Sequence, residues 1–153
     1  MVSRGFGLFL ALLRIALGIS LLGAGLHKLG WFAHPALEQT FASWSANVHN
    51  PLVQSWLRVL TPHHALLARL VVLGELGLGT LLVIGFLTPL AGLLAFVMVA
   101  NFLFTSGELF TLKAYQGVSA LAYLLSFLVV MLGRGGTVLG IDGMLAGGRA
   151  RKA

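Results

Sequence analysis

Glu75 is the only charged residue in the apolar run LVVLGELGLGTLLV, which spans residues 70–83. An ionised side chain at the centre of a membrane span costs about 2.5–3.5 kcal/mol on insertion scales, and such residues usually have a function. A second apolar run contains Arg14, whose opposite charge makes it the simplest partner for Glu75. We predict that Arg14 and Glu75 pair inside a helical bundle and form a catalytic site, where Glu75 would transfer a proton and Arg14 would polarise a ligand oxygen.

Other polar residues lie at a similar depth or nearer one end of the predicted spans. Asn101 and Tyr123 are central in the third and fourth spans, and Ser119 shares a helical face with Tyr123. We predict that these three residues and four more bind a ligand, the four being His27, Lys28, Arg69 and Glu108. Since most of these groups fall in the outer halves of the spans, the pattern predicts a polar pocket that opens outward and ends near the midplane.

A structural interpretation of the same residues stays open. A buried arginine–glutamate pair can set helix register, and Asn and Ser side chains can join helices by hydrogen bonds. Arg69 could also extend to the outer headgroups instead of lining a pocket.

Composition indicates which elements hold these residues. The chain is 58% hydrophobic and 9% charged, whereas soluble domains carry about 25% charged residues. Its 153 residues favour a single domain. A membrane-crossing helix needs about 20 apolar residues, and four segments are long enough, at about 6–29, 65–87, 89–112 and 114–133. The predicted fold is therefore an all-α membrane protein built as a four-transmembrane-helix bundle.

Residues 30–64 have a different pattern and predict two short amphipathic helices between the first and second spans. Leu37, Phe41 and Trp44 recur at helical spacing, and Asn50-Pro51 is a typical helix start. Basic residues are more frequent on the side that carries the termini. This bias predicts a multi-pass protein of the plasma or inner membrane, with both termini and the tail 134–153 in the cytoplasm and residues 30–64 outside.

Several kinds of chemistry are excluded or disfavoured. The chain has no cysteine, which removes thiolate catalysis and iron–sulfur ligation. Its five histidines show no metal-ligand spacing, so we expect no metal. The net charge of +6 is scattered between long apolar runs, which favours the lipid bilayer rather than nucleic acid as partner. Any redox role would need a cofactor, a quinone or a partner subunit.

Three stretches resemble the DoxX/DoxD-like family of small four-span membrane proteins. They are LLRIALGISLLGAGLHKL (12–29), LGELGLGTLLVIGFLTPLAGLLAF (73–96) and GRGGTVLGIDGML (133–145). The closing motif retains Asp142 but departs from the family pattern at Gly140, where serine is expected, and Pro89 replaces the usual basic residue of the turn. The resemblance implies a four-helix bundle linked to respiratory redox chemistry, with matching positions at Arg14, Lys28 and Glu75. One branch is similar to the small subunit of thiosulfate:quinone oxidoreductase, and distant relatives are chaperones or cargo receptors.

Three functions are open at this point. The first is a redox-associated subunit of a quinone-linked oxidoreductase that binds a quinone-like molecule and works with a redox or sulfur-handling partner subunit. The second is a non-enzymatic membrane scaffold, assembly factor or chaperone. The third is a small-anion transporter, for which four spans would require a homodimer.

Overall fold

The computed structural model describes residues 4–111 and 120–150 of the chain, and the regular secondary structure of this part is helical, without a strand. The prediction of an all-α fold is thus confirmed. The α-helices are α1 Arg4–His27, α2 Leu37–Asn47, α3 Pro51–Leu60, α4 His64–Ile84, α5 Thr88–Thr105, α6 Ala120–Leu132 and α7 Ile141–Ala150. Short 3₁₀ turns lie at Leu29–Phe32, Thr61–His63 and Glu108–Phe110.

Three helical stretches of the described chain are long and apolar enough to cross a membrane: Gly5–His27, Pro51–Ile84 and Thr88–Thr105. Helix α6 is apolar but shorter. The predicted start of the fourth span falls in residues 112–119, which lie outside the described residues. These helices make the chain a multi-pass integral membrane protein.

A glycine ends the helix that carries Glu75. Gly85 adopts a left-handed conformation with φ 69°, and its N–H donates to Leu81 O and Leu82 O. Glycine takes this conformation at little cost, so it is a common helix terminator. α5 then begins at Thr88, with Pro89 in its first turn. The short turn makes α4 and α5 antiparallel neighbours, as predicted, although α4 stops at Ile84 rather than at residue 87.

Two glycines set how α1 packs against α4. A Cβ added at Gly18 would lie 2.8 Å from Gly79 O, and one at Gly79 would lie 2.9 Å from Gly18 O. Only glycine lets the two backbones approach this closely. Further along, Gly25 lies against Leu76 and Glu75. The two antiparallel helices are therefore locked in one register, with Gly25 level with Glu75.

The connection between α1 and α4, residues 29–63, is called the insert below. Asn50 Oδ1 accepts from Leu52 N (2.9 Å) at the start of α3, which confirms the predicted helix start. The Gln54 side-chain amide bridges α3 back to α2 by donating to Ser45 O (2.7 Å) and Val48 O. A separate apolar core joins the insert to α4, made of Leu37, Phe41, Val53, Leu57 and Ala68. The predicted helical segment between the first two spans is thus confirmed.

The bundle has two ends that matter for function. The end that carries Lys28 and the insert is called the Lys28 end. The opposite end carries Arg14, the turn after α4 and residues 133–145, and is called the Arg14 end. Between them lies an apolar core of Leu17, Leu21, Leu82, Ala91, Ala95, Phe127 and Val130.

Candidate functional site

Glu75 lies on the inward face of α4, and its residue surface is only 4% exposed. Carboxylate Oε1 forms an ion pair with Lys28 Nζ and accepts a hydrogen bond from it. The second oxygen, Oε2, is buried and has no hydrogen-bond partner among the described residues. A buried acceptor without a partner is costly, so this oxygen would gain from a hydrogen bond donated by a ligand.

Lys28 follows the last residue of α1 and reaches Glu75 from the Lys28 end. Its ammonium nitrogen also lies 5.6 Å from the ring centroid of Trp31 and 5.6 Å from that of Phe102. Both distances are within the range of cation–π attraction. The Lys28 side chain is 27% exposed, whereas that of Glu75 is 6% exposed. The lysine therefore stands between the buried carboxylate and the surface.

The predicted pair between Arg14 and Glu75 is wrong. The glycine contacts place Gly25 level with Glu75, while Arg14 lies beside Gly85. Gly85 is about ten residues beyond Glu75, which corresponds to roughly 15 Å along the axis of α4. Arg14 instead donates from Nη2 to Leu139 O at 2.9 Å. Lys28, predicted only as a ligand-binding residue, is the cation that Glu75 meets.

Two predicted ligand-binding residues, Asn101 and Tyr123, have partners near this end. Asn101 Oδ1 accepts from Trp56 Nε1 at 2.9 Å, so its amide joins α5 to α3 of the insert. The Tyr123 side chain interacts with that of Ser20 and lies within electrostatic reach of Glu75. Its ring meets Phe127 edge-on, with 5.1 Å between the centroids. Of these two residues, Tyr123 is the one that interacts electrostatically with Glu75 of the ion pair.

The remaining predicted residues do not gather around Glu75. Three of them are exposed: His27, Arg69 and Glu108. Ser119 lies outside the described residues. The structure thus pairs Lys28 with Glu75, places Tyr123 within electrostatic reach of that carboxylate, and bonds Asn101 to the insert.

Asp142, which the sequence analysis did not select, organises the Arg14 end. Its Oδ1 accepts from Leu87 N and its Oδ2 from Thr88 N, both at 2.8 Å. Its own N–H donates to Gly85 O at 2.9 Å. A carboxylate at a helix N-terminus satisfies free N–H groups and complements the helix dipole. The first turn of α7 therefore caps α5 and closes the turn after α4.

Arg14 is the largest fully buried side chain of the described chain, at 0% exposure. It lies within electrostatic reach of Asp142. Polar groups are therefore not confined to the outer half of the bundle where the pocket was predicted, because Arg14, Asp142 and the buried Thr88 lie at the Arg14 end. The sequence could have indicated Asp142 as a residue of interest, because it is one of only four acidic residues in the chain.

Surface grooves occur at both ends. Two at the Arg14 end measure about 520 and 560 Å³. One beside the insert measures about 500 Å³ and includes Arg58. In the described ranges, the histidine and acidic side chains form no group of three or more that could hold a metal ion.

A bundle of long apolar helices with buried charges defines an integral membrane protein. The family model for DoxX matches residues 9–107, well over half of the chain, so the protein belongs to the DoxX family. This match includes Arg14, Lys28 and Glu75 but stops before Asp142. No curated protein and no solved structure matches the chain.

Proposed function

We propose that this DoxX-family protein is a redox-associated membrane subunit that binds a quinone-like molecule at the Lys28–Glu75 pair. The observation that carries the proposal is the buried Glu75 Oε2, which has no partner among the described residues. It belongs to an acid that already contacts a lysine, and the lysine is partly exposed. A hydrogen-bond donor and a proton-exchanging group thus adjoin one another next to the surface.

The residues at this site fit the chemistry of a quinone. A quinone, when bound, supplies two-electron redox chemistry coupled to proton uptake and release at its oxygens. Lys28 has three N–H donors, so after bonding Glu75 it retains donors for a carbonyl oxygen. Glu75 can take up or release a proton through Oε2. The rings of Trp31 and Phe102 beside the ammonium offer apolar faces to a planar ligand.

Neighbouring residues support distinct parts of this function. Tyr123 interacts with Ser20 and lies within electrostatic reach of Glu75. The hydrogen bond from Trp56 to Asn101 holds the insert against α5 at the same end. Since the chain has no cysteine, the electrons would come from a redox or sulfur-handling partner subunit.

Quinone binding can be tested on the purified protein with a matched pair of variants. Glu75→Gln keeps the size of the side chain but removes its charge, and Glu108→Gln makes the same change at an exposed acid. Detergent-solubilised proteins would be analysed for copurified quinone by mass spectrometry and titrated with a short-chain quinone. We expect Glu75→Gln to lose binding at least tenfold and Glu108→Gln to bind like the unmodified chain.

Thermal unfolding of the same samples shows whether folding is retained. A second variant, Trp31→Leu, alters a ring that contacts Lys28 without changing any charge, and we expect it to weaken quinone binding. Equal quinone binding by the unmodified protein, folded Glu75→Gln and folded Trp31→Leu would refute the proposal.

A second candidate is a membrane scaffold or assembly factor, and the outer surface of the insert favours it. Leu52 is 66% exposed and Val59 is 57% exposed, both on α3. These apolar side chains could contact a client protein while the Lys28–Glu75 pair serves only the fold. In that case Glu75→Gln would lower the unfolding temperature, and no quinone would be found. Anion transport has less support, because His27 and Arg69 are exposed rather than gathered with Lys28.

A further inference from the structure

We propose that a groove at the Arg14 end binds an anionic phospholipid. The groove measures about 560 Å³ and lies between the turn after α4, the end of α6 and the loop that follows it. Four of its lining residues are apolar: Leu87, Pro89, Met131 and Leu132. Its polar part includes Arg134 and Thr137. An apolar wall with a cation at its edge matches a molecule that joins an acyl chain to a phosphate.

The charge that this groove leaves unmatched is positive. Asp142 also lines the groove, but its two oxygens already accept the N–H groups of Leu87 and Thr88. The same carboxylate is within electrostatic reach of the buried Arg14. In contrast, the exposed Arg134 guanidinium has no hydrogen bond or ion pair to any residue in the described ranges. An anion beside Arg134 would complete the charge balance.

The surroundings of the groove indicate contact with lipid. Leu132 is 75% exposed, Leu139 is 69% exposed and Met144 is 77% exposed. Apolar side chains exposed to this degree near the end of a bundle are typical of the membrane interface. An arginine at that depth can reach headgroup phosphates while its methylenes stay on apolar surface. A free phosphate ion would meet Arg134 but leave the apolar wall uncovered.

These features favour a phospholipid of the phosphatidylglycerol type as the ligand of the groove. Its headgroup carries a net negative charge and no ammonium. A zwitterionic lipid carries no net charge and would leave the positive charge of Arg134 unbalanced. The proposal does not depend on quinone binding, because the groove and the Lys28–Glu75 pair lie at opposite ends of the bundle.

Native mass spectrometry of the purified full-length protein can test this site. The protein would be offered phosphatidylglycerol, phosphatidylethanolamine and phosphatidylcholine with identical acyl chains. We expect phosphatidylglycerol to bind preferentially. Arg134→Gln should reduce its binding by about fivefold, the effect expected for one basic residue at a membrane surface. Arg134→Lys, which keeps the charge, should retain most of the binding.

Arg58→Gln is the matched control, because Arg58 is exposed and lines a groove of about 500 Å³ at the other end. We expect this variant to bind phosphatidylglycerol like the unmodified protein. The proposal is overturned if the three lipids bind equally or if the zwitterionic lipids bind better. Unchanged binding by Arg134→Gln, or displacement of the lipid by millimolar inorganic phosphate, would also overturn it. Thermal unfolding of each variant confirms that folded protein is compared.

Discussion

The two ends of the bundle each contain a basic and an acidic side chain, but they use them differently. At the Arg14 end, Arg14 donates to the backbone oxygen of Leu139, and Asp142 accepts two backbone N–H groups. At the Lys28 end, Lys28 and Glu75 bind each other directly. The charged side chains at the Arg14 end thus form hydrogen bonds with backbone groups, whereas those at the Lys28 end bond to each other.

Under the proposed function, this difference separates a structural role at the Arg14 end from ligand binding at the Lys28 end. The fully buried Arg14 and the capping Asp142 hold three parts of the chain together: α1, the turn after α4 and the start of α7. The Lys28–Glu75 pair keeps a carboxylate oxygen without a partner in the described chain and a lysine that is 27% exposed. Arg14 also keeps Nε and Nη1 without a partner in the described chain. Because Arg14 is fully buried while Lys28 is partly exposed, only the Lys28–Glu75 pair combines an unpartnered atom with access from the surface. The four predictions below test that division.

The largest effect is expected from Gly85→Ala at the Arg14 end. Gly85 has φ 69°, and an added Cβ would overlap Arg14 Nη1. A left-handed alanine and forced repacking together should cost about 2–5 kcal/mol of unfolding free energy. The measurement is unfolding in detergent by circular dichroism. Gly77→Ala is the control, since a Cβ there meets nothing within 4 Å, and equal stability of the two variants would contradict the described packing.

Lys28→Met should have the next largest effect on stability. It leaves the Glu75 carboxylate buried without its cation, and breaking a fully buried pair costs about 3–5 kcal/mol. Because Lys28 is partly exposed, we expect a loss of about 2–3 kcal/mol. The double variant Lys28→Met/Glu75→Gln should recover much of this loss, as measured in a double-mutant cycle of unfolding free energies. Simple additivity of the two changes would show that the residues are not coupled.

Asp142→Ala should destabilise the Arg14 end alone. It removes the acceptor of two N–H groups at the start of α5, and loss of a helix cap typically costs about 1–2 kcal/mol. We expect a lower unfolding temperature with unchanged quinone binding by the folded protein. Hydrogen exchange would show faster exchange at Leu87 and Thr88. A loss of quinone affinity in folded Asp142→Ala would mean that the two ends are not separate in function.

Trp56→Phe should have the smallest effect. The phenyl ring keeps most of the apolar surface but cannot donate to Asn101 Oδ1. Losing one such hydrogen bond costs about 0.5–1.5 kcal/mol, and partial exposure of Trp56 favours the lower part of that range. We also expect faster hydrogen exchange in α3, because the insert loses a contact with α5. Unchanged exchange would show that this bond does not hold the insert.

The helix classes and approximate positions could be read from the sequence because hydrophobic periodicity, Asn50-Pro51 and Thr88-Pro89 are local signals. The partner of Glu75 could not. It depends on the register between α1 and α4, which the contact of Gly18 with Gly79 sets. A sequence shows that both residues are small, but it does not show which pair meets. The predicted register of α1 against α4 was wrong by about three helical turns. As a result, Arg14 was predicted as the partner of Glu75 instead of Lys28.

Asp142 was missed for a related reason. Its partners at Leu87 and Thr88 are more than 50 positions away in the chain, and no local pattern connects them. The neighbouring Leu139 also has an uncommon left-handed φ of 52°, which propensity does not predict. The scarcity of acidic residues was the one clue that local reasoning could have used.

The distance in sequence between Arg14 and Leu139 has a consequence for biosynthesis. Arg14 enters the membrane with the first span, but the carbonyl that accepts its hydrogen bond is translated 125 residues later. Until the ribosome has made that residue, the nascent protein holds an arginine whose final acceptor does not yet exist. Synthesis of the segment around Leu139 therefore supplies the acceptor for Arg14, and a product terminated before this segment would leave the first helix without it.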